Sequence, residues 1–321
     1  MTYLSSLQTD GYVLIPSLLS PSQLASLVPT ATNTATLARS GAWPHFRTVP
    51  KQFPPWPKDP PPASEGGIWG VQHLLHPEMP GRAEYAKVYF DERVLGVVEE
   101  LLSLKPGGAA AAAAADGGGG DEEALVMELF NMLVAPETRD FELRWHRDDI
   151  PNTATPSEEA ELLHAKSPEG RQSHAQYNLA LCSDASLIVV PGSHRRVRTE
   201  TERAADPYEP YIPGQKVVEL KPGDAVFYDS NILHRGVYHG KKEGDEETRL
   251  TLHGSVGLKQ REGQEQGQDG KVRATAVLQH GVGAWVNREE AAFGLGERAE
   301  RMRRNLVDMG TGEGVGYSLQ G

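Results

Sequence analysis

One cysteine, Cys182, stands among 321 residues, so no internal disulfide is available and a disulfide-framed secreted scaffold is excluded. Basic charge is also short, with 32 Lys and Arg against 44 Asp and Glu for a net charge of −12. A phosphate-backbone partner needs clustered Lys and Arg, so this balance argues against nucleic acid. No stretch approaches the ~18 uncharged apolar residues of a membrane span. The start MTYLSSLQTDGYVLIPSLLS has no basic segment followed by an apolar run and cleavage site, and SLQG at the other end is not a peroxisomal address. The expectation is a soluble, cytoplasmic protein with a small-molecule partner and no nucleic acid or membrane.

What is present falls into short, punctuated segments. YVLIPSLLS predicts a strand ending near Pro16, and Ser20-Pro21 before SQLASL a capped helix start. Prolines at 44, 50, 54, 55, 57, 60, 61 and 62 sustain neither helix nor sheet, so Trp43 to Pro62 is expected as an ordered surface coil or a lid. DERVLGVVEELLSL, 91–104, has apolar residues at helical spacing. PGGAAAAAAADGGGGDEE behind it offers no apolar face and reads as a flexible excursion. From Leu125 the texture changes to strands: ALVMELFNMLVAP, FELRWH, QYNLALCS, SLIVVPGSH, QKVVELKPGDAVFYDS and TRLTLHGSVG. This pattern predicts an antiparallel β-sandwich or jelly roll. AVLQHGVGAWV reads as a further strand or loop, and GERAERMRRNLVDMG as a helix stopped at Gly310. One catalytic-sized domain is expected. Its parts are helical and coil support at 1–105, an Ala/Gly-rich insertion at 106–121, a β core at 125–258 and a C-terminal extension at 259–321.

The densest chemistry lies in RWHRDD, residues 144–149. Side chains alternate faces along a strand, so His146 and Asp148 share one face while Arg147 and Asp149 take the other. A His-x-Asp pair offers one imidazole nitrogen and one carboxylate to a single ion, and a second histidine would complete a facial triad with open positions. His164, His174, His194, His234, His239 and His253 follow downstream. His234 emerges at the far end of the strand DAVFYD, where it can meet another strand's end. His194 sits in a tight Pro-Gly-Ser turn and reads as a turn side chain bonding backbone. His164 and His174 read as exposed, and His239, in the hydrophilic loop YHGKKEGDEE, is a minor alternative ligand. TRLTLHGSVG places Arg249, Thr251 and His253 on one face and Leu250 and Leu252 on the other. That polar face either lines a cavity, where an Arg can pair with a carboxylate, or lies in solvent.

The order WHRDD, VVPGSHRR, KPGDAVFYDSNILHRG and TRLTLHG resembles the phytanoyl-CoA dioxygenase family of Fe(II)/2-oxoglutarate-dependent oxygenases, and DGYVLIPSLLSPSQL is similar to that family's opening segment. The resemblance implies a double-stranded β-helix, mainly β with flanking helices, of jelly-roll and cupin-like type. It implies His146, Asp148 and His234 as Fe(II) ligands, Arg249 on the distal carboxylate of 2-oxoglutarate, and Thr251 on the same carboxylate. Asn131, Gln176 and Asn178 are polar in apolar settings and are candidate contacts to cosubstrate or substrate, or buried amides bonding backbone. Two departures stand out: the wide interval between His234 and Arg249, read as a lengthened hairpin, and the excursion at 106–121.

The implied activity is oxidation of a small metabolite by dioxygen, coupled to decarboxylation of 2-oxoglutarate to succinate and CO2, with ascorbate as an aid in assay. Related halogenases have a small residue at the carboxylate position, so Asp148 favours hydroxylation. The connection from Asp149 to Ser173 and the proline-rich segment with Trp43, Phe46, Arg47 and Trp56 are expected lids or plain surface loops. Two other readings compete: a cupin-like metal enzyme that does not use 2-oxoglutarate, and a catalytically silent binding protein on the same fold.

Overall fold

Short segments broken by Gly, Pro and Asp pair into two antiparallel sheets in the computed structural model, which describes residues 2–53, 56–104, 124–166, 172–240, 249–259 and 267–310. In chain order the strands are β1 (Tyr12–Ile15), β2 (Phe46–Thr48), β3 (Ile68–Val71), β4 (Leu125–Val134), β5 (Phe141–Glu142), β6 (His174–Ala180), β7 (Leu187–Val190), β8 (Lys216–Val217), β9 (Ala225–Tyr228), β10 (Leu233–Tyr238) and β11 (Leu250–Leu258). The larger sheet runs β1-β9-β6-β11-β4-β3-β2 and the smaller β5-β10-β7-β8. Strands distant in sequence interleave, with β11 between β4 and β6, and the fold is the double-stranded β-helix expected from the resemblance.

The helices are α1 (Tyr3–Asp10), α2 (Pro21–Arg39), α3 (Arg82–Tyr89), α4 (Glu92–Leu101), α5 (Pro156–Lys166), α6 (Glu200–Ala204), α7 (Gly267–Gln279) and α8 (Glu297–Met309). Ser20 caps α2 in a capping box with Gln23, and Asp91 caps α4. Leu27, Tyr85, Tyr89, Leu95, Met302 and Leu306 from these helices form one buried cluster with Phe130 and Met132 of β4, Tyr177 and Leu179 of β6, and Leu252 and Val256 of β11. Each such side chain stabilises the fold by about 1.5–3 kcal/mol. Strand alternation does the rest: with Tyr177, Leu179, Leu252 and Val256 committed to the helices, Gln176, Asn178, Thr251 and His253 turn to the space between the sheets. Gly254 keeps this layer closed, because a Cβ there would collide with the Tyr177 and Phe130 rings.

Three expectations are corrected. The proline-rich segment contributes a strand, since Phe46–Thr48 pairs with β3 despite Pro44 and Pro50 on either side. AVLQHGVGAWV is neither strand nor plain loop at its start: Ala274 and Val277, at helical spacing, are buried and carry α7 through Gln279. FELRWH is strand only at Phe141–Glu142, beyond which His146 makes a single antiparallel bridge with His234. The excursion at 106–121 and the loop at 241–248 lie outside the described residues.

Candidate active site

His146 and His234 come together because their backbones pair. The N–H of each donates to the carbonyl of the other at 3.0 Å, and the N–H of Asp148 donates to Ser230 O at 2.8 Å. The Nδ1 of His146 lies 2.7 Å from Arg144 O and that of His234 lies 2.9 Å from Ile232 O. A carbonyl only accepts, so both Nδ1 atoms carry the proton and both Nε2 lone pairs are free. Those Nε2 atoms stand 3.4 Å (His146) and 3.7 Å (His234) from Asp148 Oδ1, and the ligand atoms of the three residues all lie within 4.8 Å of one another. Two imidazole nitrogens and one carboxylate, with the remaining directions open to a cavity, fit a facial metal site.

Electrostatics keeps the donors in their ligating forms. Burial alone would raise the Asp148 carboxyl, but the neighbouring His234 and His146 and the hydrogen bond from Gln176 hold it well below the usual carboxylate range. Burial, reinforced by His146, pushes His234 down to about 4 against the pull of Asp148, so its imidazole is neutral at neutral pH. Gln176 Nε2 donates to Asp148 Oδ2 at 2.9 Å, which leaves Oδ1 to the histidines. Arg147 and Asp149 point away, as alternation predicts. Asp149 Oδ2 accepts from the Ser230 hydroxyl at 2.6 Å. Arg147 donates to the carbonyls of Ser193, Asn231 and Arg196 and pairs with the fully buried Glu159 of α5 at 3.0 Å. Arg198 and Arg203 reach the same carboxylate. This cluster ties the connection from Asp149 to Ser173 to the back of the ligand segment at its middle, which a freely moving lid would not show.

A cavity open to the surface lies beside the triad. Gln176, Asn178 and His253 line it, with Trp69, Tyr228, Tyr238, Leu133, Leu143 and Leu187 as apolar and aromatic wall. Gly236 leaves room for the Tyr238 hydroxyl, with which a Cβ would collide. His253 donates through Nδ1 to Asn178 Oδ1 at 2.8 Å and is pushed down to about 4, first by burial and then by Arg47. Asn178 is therefore paired within the wall. Asn131 sits behind it, accepting the His73 N–H at 3.1 Å while its own amide nitrogen has no partner.

Arg249 takes a different setting from the one expected. Its Nε donates to Asp184 at 2.9 Å, and its guanidinium lies 4.5 Å over the ring of Tyr238, one layer behind the cavity wall. Both terminal nitrogens are buried with no hydrogen-bond partner. Thr251 donates to Asp184, not toward the cavity, and the Ser186 N–H donates there as well at 2.9 Å. Two unpartnered, buried guanidinium nitrogens are what a carboxylate would satisfy, so this chain's residues fit 2-oxoglutarate as well as a metal.

Among the other histidines, His164 is exposed as expected. His194 bonds backbone, but that of Gln8 in α1, at 3.2 Å. His174 is buried in β6, contrary to the expectation of exposure. His239 is exposed on Asp140 at 2.9 Å and is not in the triad. Sequence reasoning missed Asp184, Glu159 and the cavity role of Arg47. The first two have no motif, and only a buried carboxylate's need for partners could have flagged them.

Fold and site together define an oxidoreductase of the Fe/2-oxoglutarate-dependent oxygenase type, EC 1.14.11-like. The family model described as phytanoyl-CoA dioxygenase (PhyH) matches residues 7–237, and the chain belongs to that family. No curated protein matches it. Among solved structures, AviO1 from Streptomyces viridochromogenes Tue57 is similar with a TM-score of 0.50 and 16% identity over 79% of this chain and 93% of that one. EctD from S. alaskensis, solved with 2-oxoglutarate and 5-hydroxyectoine, is similar with a TM-score of 0.50 and 17% identity over 80% of this chain and 75% of that one. At these identities the likeness is one of fold. Among the described residues no helix is long and apolar enough to cross a membrane.

Proposed function

We propose that the chain holds Fe(II) through His146, Asp148 and His234, binds 2-oxoglutarate as cosubstrate, and hydroxylates a small-molecule metabolite with dioxygen. The observation that carries this reading is the convergence of two free Nε2 lone pairs and one carboxylate oxygen at a cavity backed by the unpartnered nitrogens of Arg249. The metal, when bound, supplies dioxygen activation coupled to decarboxylation of 2-oxoglutarate to succinate and CO2. The protein's share is positional. Gln176 fixes which Asp148 oxygen faces the ion, and the carbonyls of Arg144 and Ile232 fix both histidine tautomers. Arg249 receives the distal carboxylate, with Asp184 and Thr251 orienting its guanidinium. Trp69, Tyr228 and Tyr238 exclude water from the reacting centre. Asp148 fills the carboxylate position, which supports hydroxylation over halide transfer.

The test is succinate release with Fe(II) and ascorbate against amino acids, small carboxylates, acyl-CoAs, terpenoids and alkaloids. Release that requires Fe(II), rises with one substrate class and vanishes in His146→Ala is expected. A protein that retains no Fe(II) and releases no succinate under any condition contradicts the proposal. Asp184 already holds one edge of Arg249, which favours a second reading as a metal enzyme on this fold without 2-oxoglutarate. Unchanged 2-oxoglutarate consumption in Arg249→Ala would decide for it.

A further inference from the structure

Arg47 lines the triad cavity from β2, the edge strand of the larger sheet, three strand positions from the β11 strand that Arg249 precedes. Its guanidinium lies 5.2 Å over the Trp69 ring and 5.9 Å from that of Trp56. Arg47 Nε is buried without a partner, and the side chain makes no hydrogen bond or ion pair with any described residue. Aromatic faces stabilise a guanidinium's charge but accept none of its in-plane N–H donors. Burying the Nε donor unpaired costs stability, and it is maintained beside a metal-binding constellation.

We propose that Arg47 is a specificity-determining residue that receives an anionic group of the substrate, a carboxylate or a phosphate or sulfate ester, so that the enzyme acts on an acidic metabolite. The inference rests on the function proposed above. In that reading 2-oxoglutarate brings two carboxylates, one to the metal and one to Arg249, whose two free nitrogens lie behind Tyr238 and not beside Trp69. Arg47 therefore remains to be satisfied by a third anionic group. The fork geometry selects a planar or tetrahedral oxyanion. The walls of Trp69, Tyr228 and Tyr238 favour a flat or apolar body attached to it.

The experiment uses the Fe(II)- and 2-oxoglutarate-loaded protein without oxygen, titrated calorimetrically with matched probes: benzoate against benzamide and phenylacetate against phenylacetamide. The wild type is expected to prefer each carboxylate by roughly tenfold or more. Arg47→Gln is expected to erase that preference, while its affinity for 2-oxoglutarate stays within about threefold and its near-ultraviolet circular dichroism is unchanged. Arg47→Lys keeps the charge but not the fork and is expected to retain part of the preference. It carries the comparison alone if the glutamine variant does not fold. Three results overturn the proposal: no carboxylate preference in the wild type, a preference that survives both substitutions, or a loss of 2-oxoglutarate binding in Arg47→Gln as large as in Arg249→Gln, which would make Arg47 a cosubstrate residue. The probe comparison is repeated on metal-free protein, so a wild type that fails to bind Fe(II) or 2-oxoglutarate removes the proposed function and leaves the anion preference separately measured.

Discussion

Replacing Arg249 with Gln should weaken 2-oxoglutarate far more than it weakens the metal. The terminal nitrogens of Arg249 are both buried and both without a partner, while its Nε is held at 2.9 Å by Asp184. A carboxylate arriving there gains two charge-assisted hydrogen bonds, each about 1.5–3 kcal/mol. Loss of the pair therefore costs roughly 3–6 kcal/mol, or about 10²–10⁴-fold in Kd at ~1.36 kcal/mol per tenfold. Lys keeps the charge but offers one point of contact, and an intermediate loss of about tenfold is expected. Removing the arginine also strands Asp184, which is buried and otherwise accepts from Thr251 and the Ser186 N–H. A fall in melting temperature should accompany the glutamine variant. Calorimetric titration of 2-oxoglutarate into the Fe(II)-loaded, oxygen-free proteins measures the effect, with metal content determined on the same samples. An Arg249→Gln protein that keeps its Fe(II) and binds 2-oxoglutarate within threefold of wild type refutes the reasoning.

Gln176→Leu removes the amide that holds Asp148 Oδ2 and should lower Fe(II) affinity by about 10–100-fold without abolishing it, as read by competition with a metal-sensitive dye. Acid should unfold the metal-free protein early. Burial first, with neighbouring cations at each of these sites, holds His73 down to about 3 and His174, His194 and His253 down to about 4. The unfolded chain then takes up protons near pH 6.5 that the folded chain refuses, and stability falls as pH drops from about 6.5 toward 4. One unit below 6.5 each of these histidines costs about 1.4 kcal/mol, and together they approach the 5–15 kcal/mol of a typical domain. Melting temperatures should be level above pH 7 and fall steeply below pH 6.5, whereas a level profile down to pH 5 would contradict the assigned burial.

The triad was legible because its residue types carry the chemistry and strand alternation decides between Asp148 and Asp149. His146 and Asp148 still meet at one site even though His146 makes only one bridge and Asp148 lies in a bend, so the inference survived a wrong assignment of strand. The polar face of β11 was legible for the same reason, but alternation says which side a residue takes and nothing of what it meets there. Thr251 met Asp184, a residue 67 positions earlier with no pattern around it. Arg47 was hidden by its prolines. The sequence context around it argues against any strand, and its contacts with Trp69 and the cavity arise only once β2 pairs with β3. The start of α7 was lost because its buried positions, Ala274 and Val277, straddle the beginning of a stretch that looks β-like when taken alone.

The central claim is that one Fe(II) sits between His146, Asp148 and His234. Equilibrium dialysis against Fe(II) without oxygen, followed by metal analysis, tests it directly on the wild type, His146→Ala, Asp148→Ala, His234→Ala and Asp149→Ala. The account predicts one Fe(II) per chain in the wild type and in Asp149→Ala, whose carboxylate faces Ser230, and little or none in the other three. Retention of one Fe(II) per chain by the three triad variants, or its loss in Asp149→Ala alone, would contradict it.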